Sequence, residues 1–257
     1  MSLFLEQTGP LAYWRSDLLP GSDLHHAMFT RHGGVSHSPF DALNLSYGVG
    51  DDPGVVTHNR SLLKKNLGIE RLISGRQVHG TRVQVISAAE QDLEVADCDA
   101  LVTALPGVGL MIQQADCQGI LLYDPQRRVV AAIHAGWRGS VANIVAITIA
   151  VLVTRFHSDP ADLRAVISPS LGPCCAEFVN HRQELPPSFS RFQTRPNHFD
   201  FWRLSRAQLL AEGLTAQRIE TTAQCTRCNQ DFFSYRRACQ GGRPATGRQA
   251  SVIALRV

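Results

Sequence analysis

Five short apolar segments follow one another between residues 82 and 134, with no helical pattern between them. Runs of about four to eight apolar and β-branched residues, bounded by turn residues, are typical of β-strands. Five strands in a row do not fit a fold in which each strand is followed by a helix. The sequence therefore predicts an α/β protein with layers of mixed β-sheets and helices outside them.

The remaining elements extend this pattern along the chain. The predicted strands are Arg82–Ser87, Ala100–Thr103, Leu110–Gln113, Ile120–Tyr123, Val129–His134, Ala165–Ser168, Arg218–Thr222 and Ser251–Arg256. The predicted helices are Val55–Leu67, Ser140–Phe156, Cys175–Leu185 and Phe201–Glu212. No repeat, low-complexity tract or long linker interrupts the 257 residues, so we expect a single domain over residues 1–257.

Composition excludes several classes of protein. Hydrophobic residues make up 44% of the chain and charged residues 18%, so the chain can bury a core and is not expected to be disordered. A net charge of +3 does not indicate a nucleic-acid partner. The longest apolar run, Val141–Val153, would form a helix of about 20 Å, too short for a hydrocarbon layer of about 30 Å. We find no signal peptide, and an odd number of cysteines, seven, does not suggest a disulfide framework, so we expect a cytoplasmic protein without membrane contact.

Several common functional motifs are absent from the sequence. The only lysines, Lys64 and Lys65, do not follow the glycines of a P-loop, and Gly48–Gly50 lacks the third glycine of a dinucleotide site. There is no G-x-S-x-G, no H-E-x-x-H, and no H-x-E to pair with P-C-x-x-C. No histidines stand in the H-x-H arrangement that multicopper oxidases use to hold their copper cluster.

Three segments combine metal-binding side chains with turns and strand ends. Gln77–Gly80 comes just before a predicted strand, Ala115–Cys117 follows another, and His134–Gly139 lies between a third strand and the long helix. Their two histidines and one cysteine form a ligand set typical of catalytic zinc, with a fourth position left for water or substrate. Spacing alone leaves a structural role open, and Asp116 could orient a ligand or act as a base.

The order of short motifs makes the chain recognisable. The motifs are Thr30–Ser36, Leu43–Leu45, Asp51–Pro53, Asn59–Arg60, Gln77–Gly80, Asp99–Thr103, Ala115–Cys117, His134–Gly139, Leu171–Cys175, Cys225–Thr226, Phe232–Arg237 and Thr246–Arg248. In this order they resemble the YfiH family, also called laccase-domain, polyphenol-oxidase-like or LACC-type proteins. The resemblance runs nearly end to end, and His134–Gly139 is its most distinctive part.

The resemblance implies a function and a set of site residues. By it, His79, Cys117 and His134 match the family's zinc-binding and catalytic triplet, in a layered α/β fold with mixed sheets. The implied activities are phosphorolysis of purine nucleosides (adenosine, inosine, guanosine and S-methyl-5′-thioadenosine) and deamination of adenosine, so purine nucleosides and phosphate are the expected partners. The candidate substrate-binding residues inside the motifs are Arg31, Asn44, Gln77, Asp116, Arg138, Arg236 and Arg248, whose arginines suit phosphate oxygens.

Two positions depart from the family pattern, and both bear on substrate preference. Gln118 stands where a proline commonly follows the cysteine of A-D-C, and Ala176 stands where a tyrosine commonly follows G-P-C-C. We expect the first change to alter the loop beside Cys117 and the second to enlarge a pocket wall. A lone C-x-x-C, Cys225 and Cys228, has metal spacing without a second pair, so we expect a structural role.

Other functions stay open at this point. The family's polyphenol-oxidase label suggests copper as an alternative cofactor, but one set of two histidines and a cysteine cannot assemble a multicopper cluster. A cysteine hydrolase that edits peptidoglycan precursors would use Cys117 as nucleophile and His134 or His79 as base. A module stabilised by zinc without turnover would have its fourth metal position closed by protein. The oligomeric state, monomer or weak homodimer, is also open.

Overall fold

In the computed structural model, which describes residues 3–242 and 244–257, two mixed β-sheets stack face to face and helices cover both outer faces. This confirms the predicted fold class. The strands are β1 (Leu3–Thr8), β2 (Leu11–Ser16), β3 (Leu24–Phe29), β4 (Arg71–Gly75), β5 (Val83–Ile86), β6 (Leu93–Val95), β7 (Ala100–Thr103), β8 (Val108–Gln114), β9 (Gln118–Asp124), β10 (Val129–Ala135), β11 (Arg164–Ile167), β12 (Gln193–Arg195), β13 (His198–Phe199), β14 (Ile219–Thr221) and β15 (Gln249–Leu255). The α-helices are α1 (Pro53–Leu67), α2 (Trp137–Val141), α3 (Ile144–Phe156), α4 (His181–Glu184), α5 (Phe201–Ala211) and α6 (Tyr235–Gln240).

The two sheets have mixed strand directions. The first sheet has the order β1-β2-β3-β15-β8-β4-β6 and the second has the order β14-β11-β9-β10-β7-β5, while β12 and β13 form a separate ribbon. In the first sheet β8 pairs antiparallel with β15 and parallel with β4. In the second sheet β10 is antiparallel to β9, because a short turn joins them, whereas β5 runs parallel to β7. The chain passes between the two sheets several times, and we call the short connection from β8 to β9, residues 115–117, the crossover turn.

The central strands are buried on both faces, which explains why their sequences are apolar almost throughout. Along β10, Val130 and Ala132 pack in the core between the sheets, whereas Ala131 and Ile133 pack in the core that contains α3 and α5. Helix α1 covers the opposite face of the first sheet, where Leu63 is completely buried. The fold therefore has four layers, with a sheet pair between two helical layers.

The prediction of one long helix over Ser140–Phe156 is wrong. The structure has two helices here, α2 and α3, and the break between them is at Asn143, which has a left-handed φ of 56°. The side chain of Asn143 accepts a hydrogen bond from the N–H of Ala146 and so begins α3, as asparagine commonly does at helix N-termini. Within the described ranges, no helix combines the length and the apolar character that crossing a membrane requires.

The predicted helix Cys175–Leu185 is wrong over most of its length, since only His181–Glu184 is helical. The N–H groups of Cys175 and Ala176 both donate to the carbonyl of Gly172, which closes a turn. The N–H of Phe178 then donates to the carbonyl of Asn197, so tertiary contacts hold this part of the segment in a non-helical conformation.

The eight predicted strands are all present, with ends that differ by no more than two residues. The strands β1, β2, β3, β4, β6, β12 and β13 were not predicted. β1 is a largely exposed edge strand, and it is a strand because it forms backbone hydrogen bonds with β2. β3 contains His25 and His26, which interrupt the apolar pattern that sequence reasoning relies on.

Candidate metal centre and substrate cleft

The three segments with metal-binding side chains meet at one edge of the sheet pair. Cys117 lies in the crossover turn, His134 lies near the carboxyl end of β10, and His79 lies in the loop between β4 and β5. Their ligand atoms all lie within 4.8 Å of one another. The Sγ of Cys117 is 3.7 Å from Nε2 of His79, and the two imidazole rings meet edge to face with centroids 4.8 Å apart.

A buried carboxylate, Asp99, positions both histidines. It directly precedes β7, and its Oδ1 accepts hydrogen bonds from Nδ1 of His134 at 2.8 Å and from the N–H of His79 at 2.9 Å. Its Oδ2 accepts from the N–H of Gly80 at 2.8 Å. Because Nδ1 of His134 donates to this carboxylate, Nε2 is left as the metal-binding atom. The sequence analysis placed Asp99 in a motif but did not predict that it positions the histidines. The only sign of this role in the sequence is that an acidic residue stands directly before a buried strand.

Close packing of the three ligands depends on Gly136. A Cβ at this position would lie 2.6 Å from Cδ2 of His79 and 3.2 Å from Sγ of Cys117. The first distance is shorter than carbon atoms tolerate. Any side chain at residue 136 would therefore push the His79 ring away from its place.

The charges of Cys117 and His134 are strongly coupled. Burial raises the pKa of the Cys117 thiol, but the charge of His134 and hydrogen bonds from both histidines outweigh it and lower the pKa to about 6. Burial lowers the pKa of His134, but the charge of Cys117 and the hydrogen bond to Asp99 outweigh it and raise the pKa to about 9. Without a metal, the pair therefore favours a thiolate beside an imidazolium.

The donor set fits one zinc ion. In a tetrahedral site with metal–nitrogen and metal–sulfur bonds of about 2.0–2.1 and 2.3 Å, ligand nitrogen and sulfur atoms lie about 3.6 Å apart. The 3.7 Å between Nε2 of His79 and Sγ of Cys117 agrees with this value. Two imidazoles and a thiolate leave one tetrahedral position for another molecule.

The triplet lines a cleft of about 900 Å³, within the usual size range for small-molecule sites. Five of the predicted substrate residues also line it, namely Gln77, Asp116, Arg138, Arg236 and Arg248. Arg31 and Asn44 are not among the lining residues. Arg31 forms an ion pair with Asp41 at 3.0 Å, and the buried Asn44 accepts a hydrogen bond from the N–H of Arg248 at 2.9 Å.

Four arginines line the cleft, and Arg76 among them forms an ion pair with Asp97 at 2.8 Å. The other three, which were predicted to bind substrate, differ in the contacts that their side chains form. The guanidinium of Arg236 donates to the carbonyls of Cys175 and Glu177, and that of Arg248 donates to two carbonyls of its own segment. Arg138 is exposed, and within the described part of the chain its side chain forms neither a hydrogen bond nor an ion pair. It rests 4.2 Å above the ring of Trp137. Arg138 is therefore the cleft arginine that is most available to an anionic ligand.

Asp116 ties the crossover turn to the C-terminal part of the chain. Its φ of 87° is unusual for a residue with a side chain. Oδ1 accepts from the hydroxyl of Thr226 at 2.7 Å, and Oδ2 accepts from the N–H of Arg236 at 2.6 Å. These contacts favour the orienting role of Asp116 over its use as a base.

Similarity to known proteins agrees with this geometry. A family model described as multi-copper polyphenol oxidoreductase laccase matches residues 25–256. The chain belongs to this laccase-domain, or YfiH, family.

Two relatives and two solved structures of the YfiH family show how far the similarity extends. The purine nucleoside phosphorylase YlmD of Geobacillus stearothermophilus is 35% identical over 246 residues, which cover 88% of both chains. A purine nucleoside phosphorylase of Streptomyces coelicolor is 38% identical over 228 residues, covering 86% of this chain and 93% of that protein. The YlmD crystal structure has a TM-score of 0.87 at 32% identity and covers 100% of both chains. The hypothetical protein YfiH of Bacillus licheniformis has a TM-score of 0.87 at 26% identity, covering 98% of this chain and 99% of that one.

The two departures from the YfiH-family pattern both line the cleft. Gln118 is buried in β9, where its Nε2 donates to the carbonyl of Phe201 at 3.0 Å and its Oε1 accepts from the hydroxyl of Ser205. This residue therefore joins the end of the crossover turn to α5. Ala176 is also buried and packs in the aromatic cluster that contains Phe199 and Phe201.

Proposed function

We propose that this YfiH-family chain is a zinc-dependent purine nucleoside phosphorylase that accepts adenosine, inosine, guanosine and S-methyl-5′-thioadenosine and also deaminates adenosine. The observation that carries the proposal is the convergence of His79, Cys117 and His134 on a cleft of about 900 Å³. The names of the two relatives support the phosphorylase activity. The zinc ion, the substrate range and the deaminase activity follow from the family resemblance.

Phosphorolysis requires the chain to hold an anion next to a sugar carbon. An oxygen of phosphate forms a bond to C1′ of the ribose, the bond from C1′ to the purine nitrogen breaks, and its electron pair leaves with the purine, which takes up a proton. The products are ribose 1-phosphate and the free base. Arg138 has the forked, permanently charged group that matches phosphate oxygens, and it is free to turn into the cleft.

The purine needs a flat apolar surface, which the cleft also offers. Trp137, Phe178 and Tyr235 line it, and aromatic rings provide stacking faces for bases. In deamination, water adds at C6 of adenine and ammonia leaves. Both reactions fit a site that is open to solvent on one side and aromatic on another.

The residues of the metal centre have separate tasks. His79, Cys117 and His134 would hold zinc, which when bound supplies a Lewis acid. Asp99 keeps His134 in the tautomer that exposes Nε2, and Gly136 leaves room for the His79 ring. Function in the cytoplasm, as a monomer or weak homodimer, stays a prediction from the sequence.

The proposal is tested by measuring metal content and adenosine turnover on the same preparations. Ribose 1-phosphate and ammonia are quantified with and without phosphate, in the wild type and in Cys117→Ala. Cys239→Ala is the matched control, because Cys239 is an exposed cysteine outside both groups of metal-binding side chains. We expect Cys117→Ala to lose one zinc per chain and its turnover, while the control retains both.

Other results would overturn the proposal. Copper in the purified protein together with phenol oxidation would support the oxidase alternative. Turnover that survives complete removal of the metal and disappears in Cys117→Ala would support a cysteine nucleophile. Full nucleoside turnover without Cys117 would exclude the triplet as the site.

A further inference from the structure

A second group of metal-binding side chains lies outside the triplet. Cys174 and Cys175 follow the short turn after β11, whereas Cys225 and Cys228 lie in the loop after β14. All four sulfur atoms lie within 4.8 Å of one another. The sequence shows only a lone C-x-x-C, and the fold supplies the second pair, Cys174 and Cys175, from the beginning of the predicted helix Cys175–Leu185.

The spacing of the sulfur atoms suits a shared ion. The Sγ of Cys228 is 3.7 Å from that of Cys174 and 3.4 Å from that of Cys175. A disulfide would need about 2.05 Å between sulfur atoms. In a tetrahedron with metal–sulfur bonds of about 2.3 Å, sulfur atoms lie about 3.8 Å apart. The two observed sulfur–sulfur distances are therefore close to the edge length of such a tetrahedron.

Two of the four sulfur atoms accept hydrogen bonds that favour a negative charge on sulfur. The N–H of Gly172 donates to Sγ of Cys225 at 3.3 Å, and the guanidinium of Arg227 donates to Sγ of Cys175 at 3.5 Å. Four thiolates around a divalent ion carry a net charge of −2, which a neighbouring arginine partly offsets. Thiolate sulfur is a soft ligand, and four of them in tetrahedral positions are typical of structural zinc.

We propose that Cys174, Cys175, Cys225 and Cys228 bind a second, structural zinc ion. Such an ion would join two segments that are otherwise held by a few hydrogen bonds. Because the two cysteine pairs are distant in sequence, the site forms only when the chain folds. The free energy of metal binding would therefore stabilise the folded form of this part of the structure. The assignment does not depend on the phosphorylase proposal.

This second centre would stabilise one wall of the substrate cleft. The carbonyl of Cys175 accepts from the guanidinium of Arg236 at 3.1 Å. Thr226, inside the C-x-x-C loop, donates to Asp116, which directly precedes Cys117. The two segments joined by the ion thus hold the crossover turn and a cleft arginine in place.

The first test counts metal ions per chain in protein purified under reducing conditions. We expect two zinc ions in the wild type, one in Cys117→Ala, one in the double variant Cys225→Ser/Cys228→Ser, and two in the control Cys239→Ser. In Cys117→Ala the triplet has lost a ligand, so the ion that remains is the one bound by the four cysteines. This count does not require nucleoside turnover and so tests the second site independently of the proposed function. A wild type with one zinc that disappears completely in Cys117→Ala would overturn the proposal.

A second measurement covers the case in which the double variant does not fold. Metal-free wild type is titrated with Co²⁺, whose charge-transfer absorption grows with the number of coordinating thiolates. We expect two binding phases in the wild type, one for each site. In Cys117→Ala only the phase with the stronger absorption should remain, because it belongs to the site with four thiolates. Intact mass under non-reducing conditions would overturn the proposal if it shows a disulfide within this group and no bound metal.

Discussion

Oδ1 of Asp99 accepts hydrogen bonds from Nδ1 of His134 at 2.8 Å and from the backbone N–H of His79 at 2.9 Å. A single buried oxygen therefore orients one histidine and anchors the loop of the other. The carbonyl of Asp99 also accepts from the N–H of His134 at 2.7 Å. The position of Asp99 before β7 thus determines how the two imidazoles face Cys117.

The first prediction concerns this carboxylate. Asp99→Asn replaces one of the two acceptor oxygens with an NH₂ group, so the side chain can no longer accept all four hydrogen bonds that the carboxylate of Asp99 accepts. We expect the affinity of the triplet for zinc to fall by about 10- to 100-fold. Competition with a chromogenic chelator measures it. Asp97→Asn changes an exposed acid on the same loop and should leave the affinity unchanged. Equal affinities for the two variants would contradict the role of Asp99.

The second prediction concerns space beside the metal centre. Gly136→Ala places a methyl group 2.6 Å from Cδ2 of His79, so we expect weaker metal binding and lower turnover. The backbone φ of −74° allows alanine, which leaves the clash as the cause. Gly241→Ala is the matched control, since φ is −79° and its Cβ would be 3.5 Å from the nearest atom, an ordinary contact. Zinc content of Gly136→Ala equal to that of the control would contradict this argument.

The third prediction concerns Arg138. Arg138→Gln removes the charge proposed to hold phosphate, and we expect KM for phosphate to rise by about 10- to 100-fold. This corresponds to the loss of a charged hydrogen bond of about 1.5–3 kcal/mol. Initial rates at varied phosphate and saturating nucleoside measure it. Arg155→Gln, an exposed change on α3, should have no effect, and an unchanged KM in Arg138→Gln would exclude it from the phosphate site.

The fourth prediction concerns stability and pH at His26. Its Nε2 accepts from the N–H of Ser16 at 2.9 Å, and burial, with smaller effects from Arg15 and His25, lowers its pKa from 6.5 to about 3. Between these values the unfolded chain binds a proton that the folded chain does not. The free energy of unfolding therefore falls as the pH falls below 6.5, by up to about 1.4 kcal/mol per pH unit.

Urea unfolding at about pH 7 and about pH 5.5 measures this effect. In His26→Gln the amide oxygen can still accept from Ser16 but does not titrate, so the pH dependence should become smaller than in the wild type. His37→Gln changes an exposed histidine and should keep the wild-type dependence. The same loss of stability in wild type and His26→Gln would show that other groups cause it.

Much of the fold was predictable because its strands are buried on both faces. Continuous apolar runs such as Val129–His134 identify such strands without knowledge of their neighbours. The edge strand β1 and the histidine-containing β3 escaped prediction, because pairing rather than composition makes them strands. The helix predicted over Cys175–Leu185 failed because contacts with distant residues outweigh local propensity.

The sequence by itself determined the fold class, the central strands, and the residue types and order of the three segments that carry His79, Cys117 and His134. These properties are local, since burial pattern and ligand chemistry can be read from adjacent residues. Only the tertiary structure decided that Asp99 holds both histidines, that Arg31 does not line the cleft, and that two cysteine pairs meet. Such contacts join residues far apart in the chain, and they arise only when the two sheets stack and bring their connecting turns to one edge.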